Sequence, residues 1–131
     1  MEDNLNKIKD FVLDLEYSIV SEDQAEGIVV VENQDAGITN LILDVEDPVL
    51  VVELHLFDLK NGNEEIYKNF LKMNREIIHG AIALDDSGEK VIFRDTLQIE
   101  NLDLNELQGT FNSLELFLSE YASELIKISK N

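Results

Sequence analysis

The sequence predicts a single α+β domain over residues 1–131, an antiparallel sheet of about five strands with three helices in the order α-β-β-β-α-β-β-α. Two observations favour this class. Segments whose apolar residues recur every three to four positions alternate along the chain with shorter segments rich in β-branched residues. The 131 residues are 44% hydrophobic, which suits one domain with one core.

The first third of the chain predicts one helix followed by strands. Leu, Ile, Phe and Val at helical spacing predict an amphipathic helix from about Asp3 to Glu16. Tyr17–Val20 could form a short strand, and the aliphatic run Ile28–Val31 is typical of a buried one. Turn-forming residues precede Ile38–Val45, where apolar and polar residues alternate, so one face of that strand is expected to be wetter.

A tight reversal at Glu46-Asp47-Pro48 is predicted to lead into the next strand, because proline fixes its own φ and favours extended geometry at the preceding residue. The two faces of that strand differ in character. The face expected to join the core consists of Leu50, Val52, Leu54 and Leu56. The opposite face consists of Val51, Glu53, His55 and Phe57. This second face is interpreted either as a semi-exposed sheet surface or as a surface that contacts a partner protein.

A second helix is predicted to start after Asn61-Gly62-Asn63, which offers N-caps, and to run to about Glu76. It carries a basic stripe at i, i+4 and i+7 formed by Lys68, Lys72 and Arg75. An anion site is one interpretation of this stripe. The four-residue spacing to Glu64 and Glu76 favours another, a solvated face with ion pairs worth roughly a few tenths of a kcal/mol each.

Gly80–Leu84 and Val91–Leu97 are predicted to form a second hairpin. The segment between them, Asp85-Asp86-Ser87-Gly88-Glu89, has two acidic residues near a glycine, which could suggest calcium. A calcium loop, however, distributes its oxygen ligands over about twelve residues and closes with a bidentate Glu. The segment is therefore interpreted as a turn, and no metal site is predicted.

The last helix is the strongest local pattern in the chain. Asp103 and Glu106 have the spacing of a capping box, and the apolar residues after them step by three and four to about Ile128. This main stripe is expected to cover the core, although a coiled-coil seam shows the same repeat. A second line on this helix points away from the stripe and is hypothesised to be the subunit interface of a homodimer: Asn112, Leu116, Ser119, Ser123 and Ile126.

The charge of the chain limits its possible partners. Twenty-eight acidic and ten basic residues give a formal net charge of −18. Phosphate backbones and anionic membrane surfaces repel such a protein, so neither nucleic acid nor a membrane is an expected partner. Between Lys9 and Lys60 there are thirteen Asp and Glu residues and no Lys or Arg. This stretch either attracts a basic partner protein or only keeps the domain soluble.

Few residues in the sequence could carry catalysis. There is no cysteine, which excludes disulfides, thiolate nucleophiles and zinc–thiolate sites. His55 and His79 are the two histidines, neither has a metal-ligand partner by spacing, and neither a Gly-rich phosphate loop nor a nucleophile elbow is present. The sequence therefore predicts no cofactor and disfavours an enzyme. An acidic start and short apolar runs favour a soluble, cytoplasmic protein.

The second half of the chain also resembles a known family. The residues that carry the resemblance are Asn74, Gly80-Ala81-Ile82-Ala83-Leu84-Asp85, Gly88, Val91-Ile92-Phe93-Arg94, Leu97 and the leucine-patterned last helix. They are similar to the secretion-chaperone-like fold, shared by type III secretion chaperones of the Tir-chaperone kind and YbjN-type proteins. The first half agrees in element order only.

This resemblance implies a function as well as a fold. Members look like small acidic proteins that are often homodimers, and the secretion chaperones bind an extended segment of a cognate effector without catalysis. YbjN-type relatives look regulatory. The sequence does not distinguish a chaperone from a regulatory or small-ligand-sensing protein, so both alternatives stay open at this point.

Overall fold

The computed structural model describes residues 2–130 and confirms the predicted α+β class. Its elements, in chain order, are α1 (Glu2–Asp14), β1 (Ser18–Asp23), β2 (Ile28–Asn33), β3 (Ile38–Glu46), β4 (Val49–Asp58), α2 (Glu64–Asn74), β5 (Ala81–Leu84), β6 (Lys90–Gln98) and α3 (Leu104–Ser129). Within the described residues the sheet has six strands rather than about five. The additional strand is β1, which extends to Asp23 and pairs with β2.

The strands form one antiparallel sheet in the order β1-β2-β3-β4-β6-β5. The first four strands pair consecutively, and β6 then returns to pair with β4 from Val49 opposite Gln98 to Asp58 opposite Lys90. The reversal predicted at Glu46-Asp47-Pro48 is a two-residue turn that contains a cis Asp47–Pro48 peptide bond. This order leaves β1 and β5 as the two edges of the sheet.

One face of the sheet, together with the three helices, forms the hydrophobic core. The strand residues that point toward the helices alternate with outward ones and are almost fully buried, as in Val29, Leu43, Val52 and Phe93. The helices cover them with their apolar stripes: Leu5, Ile8 and Val12 from α1; Ile66, Phe70 and Met73 from α2; and Leu107, Phe111, Leu114, Phe117, Leu125 and Ile128 from α3. The main stripe predicted for α3 is therefore core, as expected.

The helix starts follow the predicted capping chemistry. The Asn63 side chain accepts a hydrogen bond from the Ile66 backbone N–H at 2.9 Å, which caps α2. In the same way Asp103 accepts from the Glu106 backbone N–H at 2.9 Å, which caps α3. These caps satisfy backbone donors that have no partner inside the helix, so they fix where each helix begins.

Polar contacts hold α3 in register against the rest of the domain. The Thr110 hydroxyl donates to an Asp95 carboxylate oxygen at 2.7 Å, and the buried Ser113 hydroxyl donates to the His79 carbonyl at 2.8 Å while accepting from the His79 N–H. Near the start of β1 the Tyr17 hydroxyl donates to Glu115 at 2.7 Å. Burial, and then this hydrogen bond to Glu115, raise the pKa of Tyr17.

Candidate protein-binding surfaces

The outer face of the sheet, opposite the helices, carries a cluster of aliphatic side chains. Strand pairing places Val30 opposite Ile42, and places Ile28 and Val51 on either side of Asp44. We call Ile28, Val30, Ile42 and Val51 the aliphatic patch. Within residues 2–130 no helix covers it, yet Val51 is only 9% exposed because its neighbours on the sheet shield it. A packed aliphatic surface of this kind is a candidate contact for another protein.

Three of the four residues predicted to form the second face of β4 lie on this outer face, and the fourth does not. Val51, Glu53 and His55 are there, but a β-bulge at Leu56 shifts the register so that Phe57 pairs with the buried Val91. Phe57 consequently points toward the helices, with its ring 6.3 Å from that of Phe70. The prediction placed Phe57 on the wrong face because one extra residue reverses the alternation of every position after it.

Asp44 occupies an unusual position in the middle of the aliphatic patch. Its Oδ1 atom is buried and makes no hydrogen bond. Burial, then repulsion from Glu46 and a side-chain hydrogen bond with it, and then repulsion from Glu53 and Glu26, raise the pKa of the Asp44 carboxyl to about 6. The neighbouring cation Arg94 is bonded to Glu53, with its Nε 3.1 Å from the carboxylate oxygen. Asp44 is therefore a carboxylate without an ion-pair partner among the residues that the structure describes.

The Asp44→Asn variant is expected to be more stable than the wild type at pH 7.5, by roughly 1 kcal/mol after allowance for solvent screening. The pKa of Asp44 rises on folding from 3.8 to about 6, so its contribution to stability is present at low pH and is lost as the pH rises through about 6. Asparagine is neutral throughout. Urea unfolding at pH 7.5 and pH 5 should show a gain that shrinks at the lower pH.

The matched control for this prediction is Asp86→Asn, which removes the same charge from an exposed turn. If general charge repulsion were the cause, both variants would gain the same stability at pH 7.5. Equal gains would therefore contradict a specific effect of the Asp44 environment.

A second candidate surface lies between α2 and β5, at the edge of the sheet. Tyr67, Leu71 and Leu84 are exposed and line a groove of about 250 Å³, with the buried Phe70 and Ile82 at its base. We call it the α2–β5 groove. Leu71 is 68% exposed, and Ile78, in the segment between the two elements, is 69% exposed. Exposed apolar side chains that line one groove, as Tyr67, Leu71 and Leu84 do, mark a protein contact more often than isolated ones do.

The residues of the basic stripe of α2 are close in sequence to the groove residues Tyr67 and Leu71. Lys68 pairs with Glu64 as predicted, with 3.1 Å between Nζ and Oε1, although both side chains are mostly exposed and the pair is weak. The predicted pairing at Glu76 is not found within residues 2–130, because α2 ends at Asn74 and Glu76 has left the helical spacing. The stripe is therefore largely solvated.

The two edges of the sheet differ in whether they can accept another strand. At β5 the Asn74 side chain donates to the Ile82 carbonyl at 3.3 Å and accepts from the Ile82 N–H at 2.7 Å, so it occupies the outward backbone groups of that residue. At β1, no side chain among residues 2–130 bonds the backbone of Ser18–Asp23 in this way. Unpaired backbone groups at an edge can be extended by a strand from another chain, and β1 is the edge that offers them.

The line predicted as a subunit interface lies on the solvent side of α3. Asn112, Ser119 and Ser123 are exposed there, with Leu116 46% and Ile126 55% exposed. Ile126 also lines a groove of about 180 Å³ with Leu56, Phe57, Leu118 and Leu125. The structure thus brings Phe57 and Ile126, predicted on two different surfaces, to the same groove.

The two histidines make different contacts. His55 is exposed and bonded to Asp58 at 2.9 Å, whereas the backbone of His79 is held by Ser113. Residues 2–130 contain no group of three or more His, Asp or Glu side chains placed to hold a metal ion. In the same range no helix has both the length and the hydropathy that crossing a bilayer requires.

Sequence reasoning did not identify the α2–β5 groove or the setting of Asp44. The signal for the groove was available, because Tyr67 and Leu71 are apolar residues outside the core-facing stripe of α2. The setting of Asp44 depends on which residues lie opposite it on β2 and β4, and no pattern within one strand reveals that register.

Comparisons with known proteins support the fold throughout. YbjN from E. coli superposes with a TM-score of 0.66 at 11% identity, over 92% of each chain. A chain of the HopA1–SchA chaperone–effector complex gives 0.61 at 17% identity, over 89% of this chain and 94% of that one. The Yersinia pestis type III secretion chaperone SycH, in complex with a fragment of YscM2, gives 0.52 at 16% identity over 98% of each chain.

At these identities the structural likeness concerns the fold. A comparison with curated proteins gives no match. The family model CesT_Tir_1, by contrast, matches residues 1–131, which confirms the resemblance inferred from the second half of the sequence. The fold and this match across the whole chain together show that the protein belongs to the CesT_Tir_1 family.

Proposed function

We infer that this protein is a non-catalytic, homodimeric protein-binding domain that holds an extended segment of a client protein. The observation that carries this proposal is the contrast between the two sheet edges. The β5 edge is occupied at Ile82 by the Asn74 amide, whereas the β1 edge is not blocked in this way among residues 2–130. An extended segment could continue the sheet at β1 and gain main-chain hydrogen bonds.

The structural neighbours support a protein as the ligand. HopA1–SchA is a chaperone–effector complex, and the structure of SycH contains a fragment of YscM2. The acidic character of this chain is consistent with a client that carries positive charge, since the stretch between Lys9 and Lys60 contains the whole of β1 to β4 and no Lys or Arg. A chaperone of this kind needs binding surfaces rather than a reaction centre.

Two surfaces are available for a second copy of the chain. The first is the line on α3 that the sequence predicts, where Leu116 and Ile126 lie ten residues and so about 15 Å apart along the helix. The second is the α2–β5 groove, whose apolar side chains are closer together. The charges of α2 suit packing against a second α2, because the helix begins with Glu64 and Glu65 and carries Lys72 in its last turn.

An antiparallel arrangement of two α2 helices about a twofold axis would place the acidic start of each beside the basic end of the other. The α2–β5 groove is therefore the surface that we favour for the homodimer. The α3 line remains the competing interface, and the two are separated by the variants argued in the Discussion.

The experiment that tests the client role begins with affinity capture of the tagged protein from a lysate of its own host. We expect one abundant polypeptide, identified by mass spectrometry, to be captured. Hydrogen exchange is then measured on the resulting complex. The bound client should slow the exchange rates of the Ser18–Asp23 amides by about tenfold or more, and the amides of β5 serve as an internal control.

Two outcomes would contradict the proposal. Slower exchange at β5 but not at β1 would show that the segment does not add at the β1 edge. Recovery of the protein alone would favour the alternative of a regulatory or small-ligand-sensing protein. That alternative predicts a melting temperature that rises with a small molecule rather than with a polypeptide.

A further inference from the structure

We propose that the outer face of the sheet docks a basic and aliphatic segment of the partner protein, with Asp44 receiving a Lys or Arg side chain of that segment. This inference rests on the proposed function, since it specifies the chemistry of the polypeptide that is held. It also adds a second contact surface to the β1 edge.

The apolar part of the surface is the aliphatic patch. Ile28 and Val51 lie directly opposite Asp44 on the two neighbouring strands, and Ile42 lies on the same face two residues before it. Ile42 is the most exposed member and stands at the centre of the sheet rather than at a rim. A segment that crosses the sheet here can bury aliphatic side chains against the patch without any rearrangement of the core.

The charged residues around the patch determine which charge a docking segment must carry. Strand pairing places Asp23, Asp44, Glu46 and Glu53 on this face, against the two cations Lys90 and Arg94 of β6, which share the outer face by alternation. Arg94 is already engaged by Glu53. Because β1 to β4 contain neither Lys nor Arg, the face is negative from the β1 edge to the middle of the sheet. A basic segment is attracted there, and an acidic peptide, a nucleic acid or a second acidic copy of this face is repelled.

Asp44 is the specific anchor within this negative face. One of its carboxylate oxygens is buried without a hydrogen bond, which is unfavourable for a carboxylate unless a donor is supplied. Because that oxygen is closed to the outside, a Lys or Arg of the partner would approach the accessible part of the half-buried Asp44 side chain and supply the opposite charge that the carboxylate lacks. The aliphatic stem of such a side chain would lie on Ile42 and Val51 while its charged end reached the carboxylate, a division of roles for which long basic side chains are suited.

The test uses the full-length protein and fluorescein-labelled peptides of alternating residues, Lys with Val, Ser with Val, and Glu with Val. We expect fluorescence anisotropy at moderate salt to show at least about tenfold tighter binding of the Lys/Val peptide than of the Ser/Val peptide, and no binding of the Glu/Val peptide. Amide chemical shifts of the Lys/Val complex should change mainly at residues 28, 30, 42, 44 and 51.

Two variants localise the contact. Asp44→Asn keeps the shape of the side chain and is expected to fold stably. It should lower the affinity for the Lys/Val peptide by about tenfold, whereas Asp86→Asn should lower that affinity by less than about twofold. Ile42→Ser should also weaken binding, because it removes part of the aliphatic patch. Equal effects of the two Asp variants would overturn the proposal, since binding would then follow net charge alone.

The outcome also separates this inference from the client role itself. If a captured client slowed exchange at β1 while Asp44→Asn left its affinity unchanged, docking on the outer face would be wrong and the client role would stand. If no polypeptide were captured but the Lys/Val peptide bound through Asp44, the outer face would be a binding surface and the client role would be wrong.

Discussion

Gly80→Ala is expected to destabilise the protein by about 3 kcal/mol or more, whereas Gly88→Ala should cost only about 1 kcal/mol. Both glycines have a positive φ, +91° and +75°, so both substitutions carry the strain of a left-handed backbone. They differ in the space around the added methyl group. At Gly80 it would lie 2.4 Å from the Cζ atom of Phe93, and at Gly88 it would have no heavy atom within 4 Å.

Phe93 cannot easily move to relieve this clash. Its side chain is fully buried on β6, the strand between β4 and β5, with the ring of Phe117 from α3 at 5.9 Å. Close-packed interiors absorb an extra methyl group only by forcing side chains from their rotamers or by shifting the backbone. The difference between the two variants therefore measures the packing of β5 against the core, since their backbone strain is similar.

Urea unfolding of the wild type and both variants checks this prediction, with the double variant Gly80→Ala/Phe93→Leu as a further measurement. The smaller leucine should restore part of the stability that Gly80→Ala loses, so the two changes should be less destabilising together than their sum. Additive losses, or equal costs of Gly80→Ala and Gly88→Ala, would show that contact with Phe93 is not the cause.

The position of Gly80 also matters for function. β5 begins at Ala81, immediately after this glycine, and Ile82 is the residue whose backbone is occupied by Asn74. Gly80 and Asn74 thus act together to place β5 beside α2, which forms the α2–β5 groove. Both residues belong to the set on which the family resemblance was based. The backbone geometry of β5, rather than catalysis, explains why a glycine and an asparagine stand at these two positions of the family pattern.

The helices could be predicted well because a repeat over several turns outweighs any single residue. α3 has seven turns of consistent spacing, and its cap at Asp103 and its end near Ile128 both agree with the structure to within a residue. β1 was harder to predict because Ser18–Asp23 is an exposed edge strand in which polar residues dominate. Such a segment has neither a buried run nor a clear alternation to identify it.

The candidate surfaces could be predicted only where they depend on one strand. Glu53 and His55 point outward because side chains alternate along β4. This alternation ends at the bulge at Leu56, after which the inward and outward positions are exchanged. The setting of Asp44, by contrast, results from residues that lie opposite it on two other strands. The α2–β5 groove likewise requires two elements to meet: the apolar Tyr67 and Leu71 outside the core-facing stripe of α2 are visible in the sequence, but the position of β5 beside them is not.

Leu71→Glu is expected to convert the proposed homodimer into a monomer. Leu71 is 68% exposed in a single chain, and packing at the α2–β5 groove would bury it against the second copy. In a twofold interface each substitution occurs twice, so two unpaired carboxylates would have to lose their water. We expect the dimer to dissociate at least about a hundredfold more readily than the wild type.

Light scattering coupled to size exclusion measures this directly, because the chain has a mass of 14.9 kDa and a dimer twice that. Leu13→Glu is the matched control, since Leu13 is 56% exposed on α1, outside both candidate interfaces, and its variant should stay dimeric. Leu116→Glu tests the line on α3. A monomer from Leu116→Glu alone would move the interface to α3, and a monomeric wild type would exclude the homodimer, because neither surface would then be covered by a second copy.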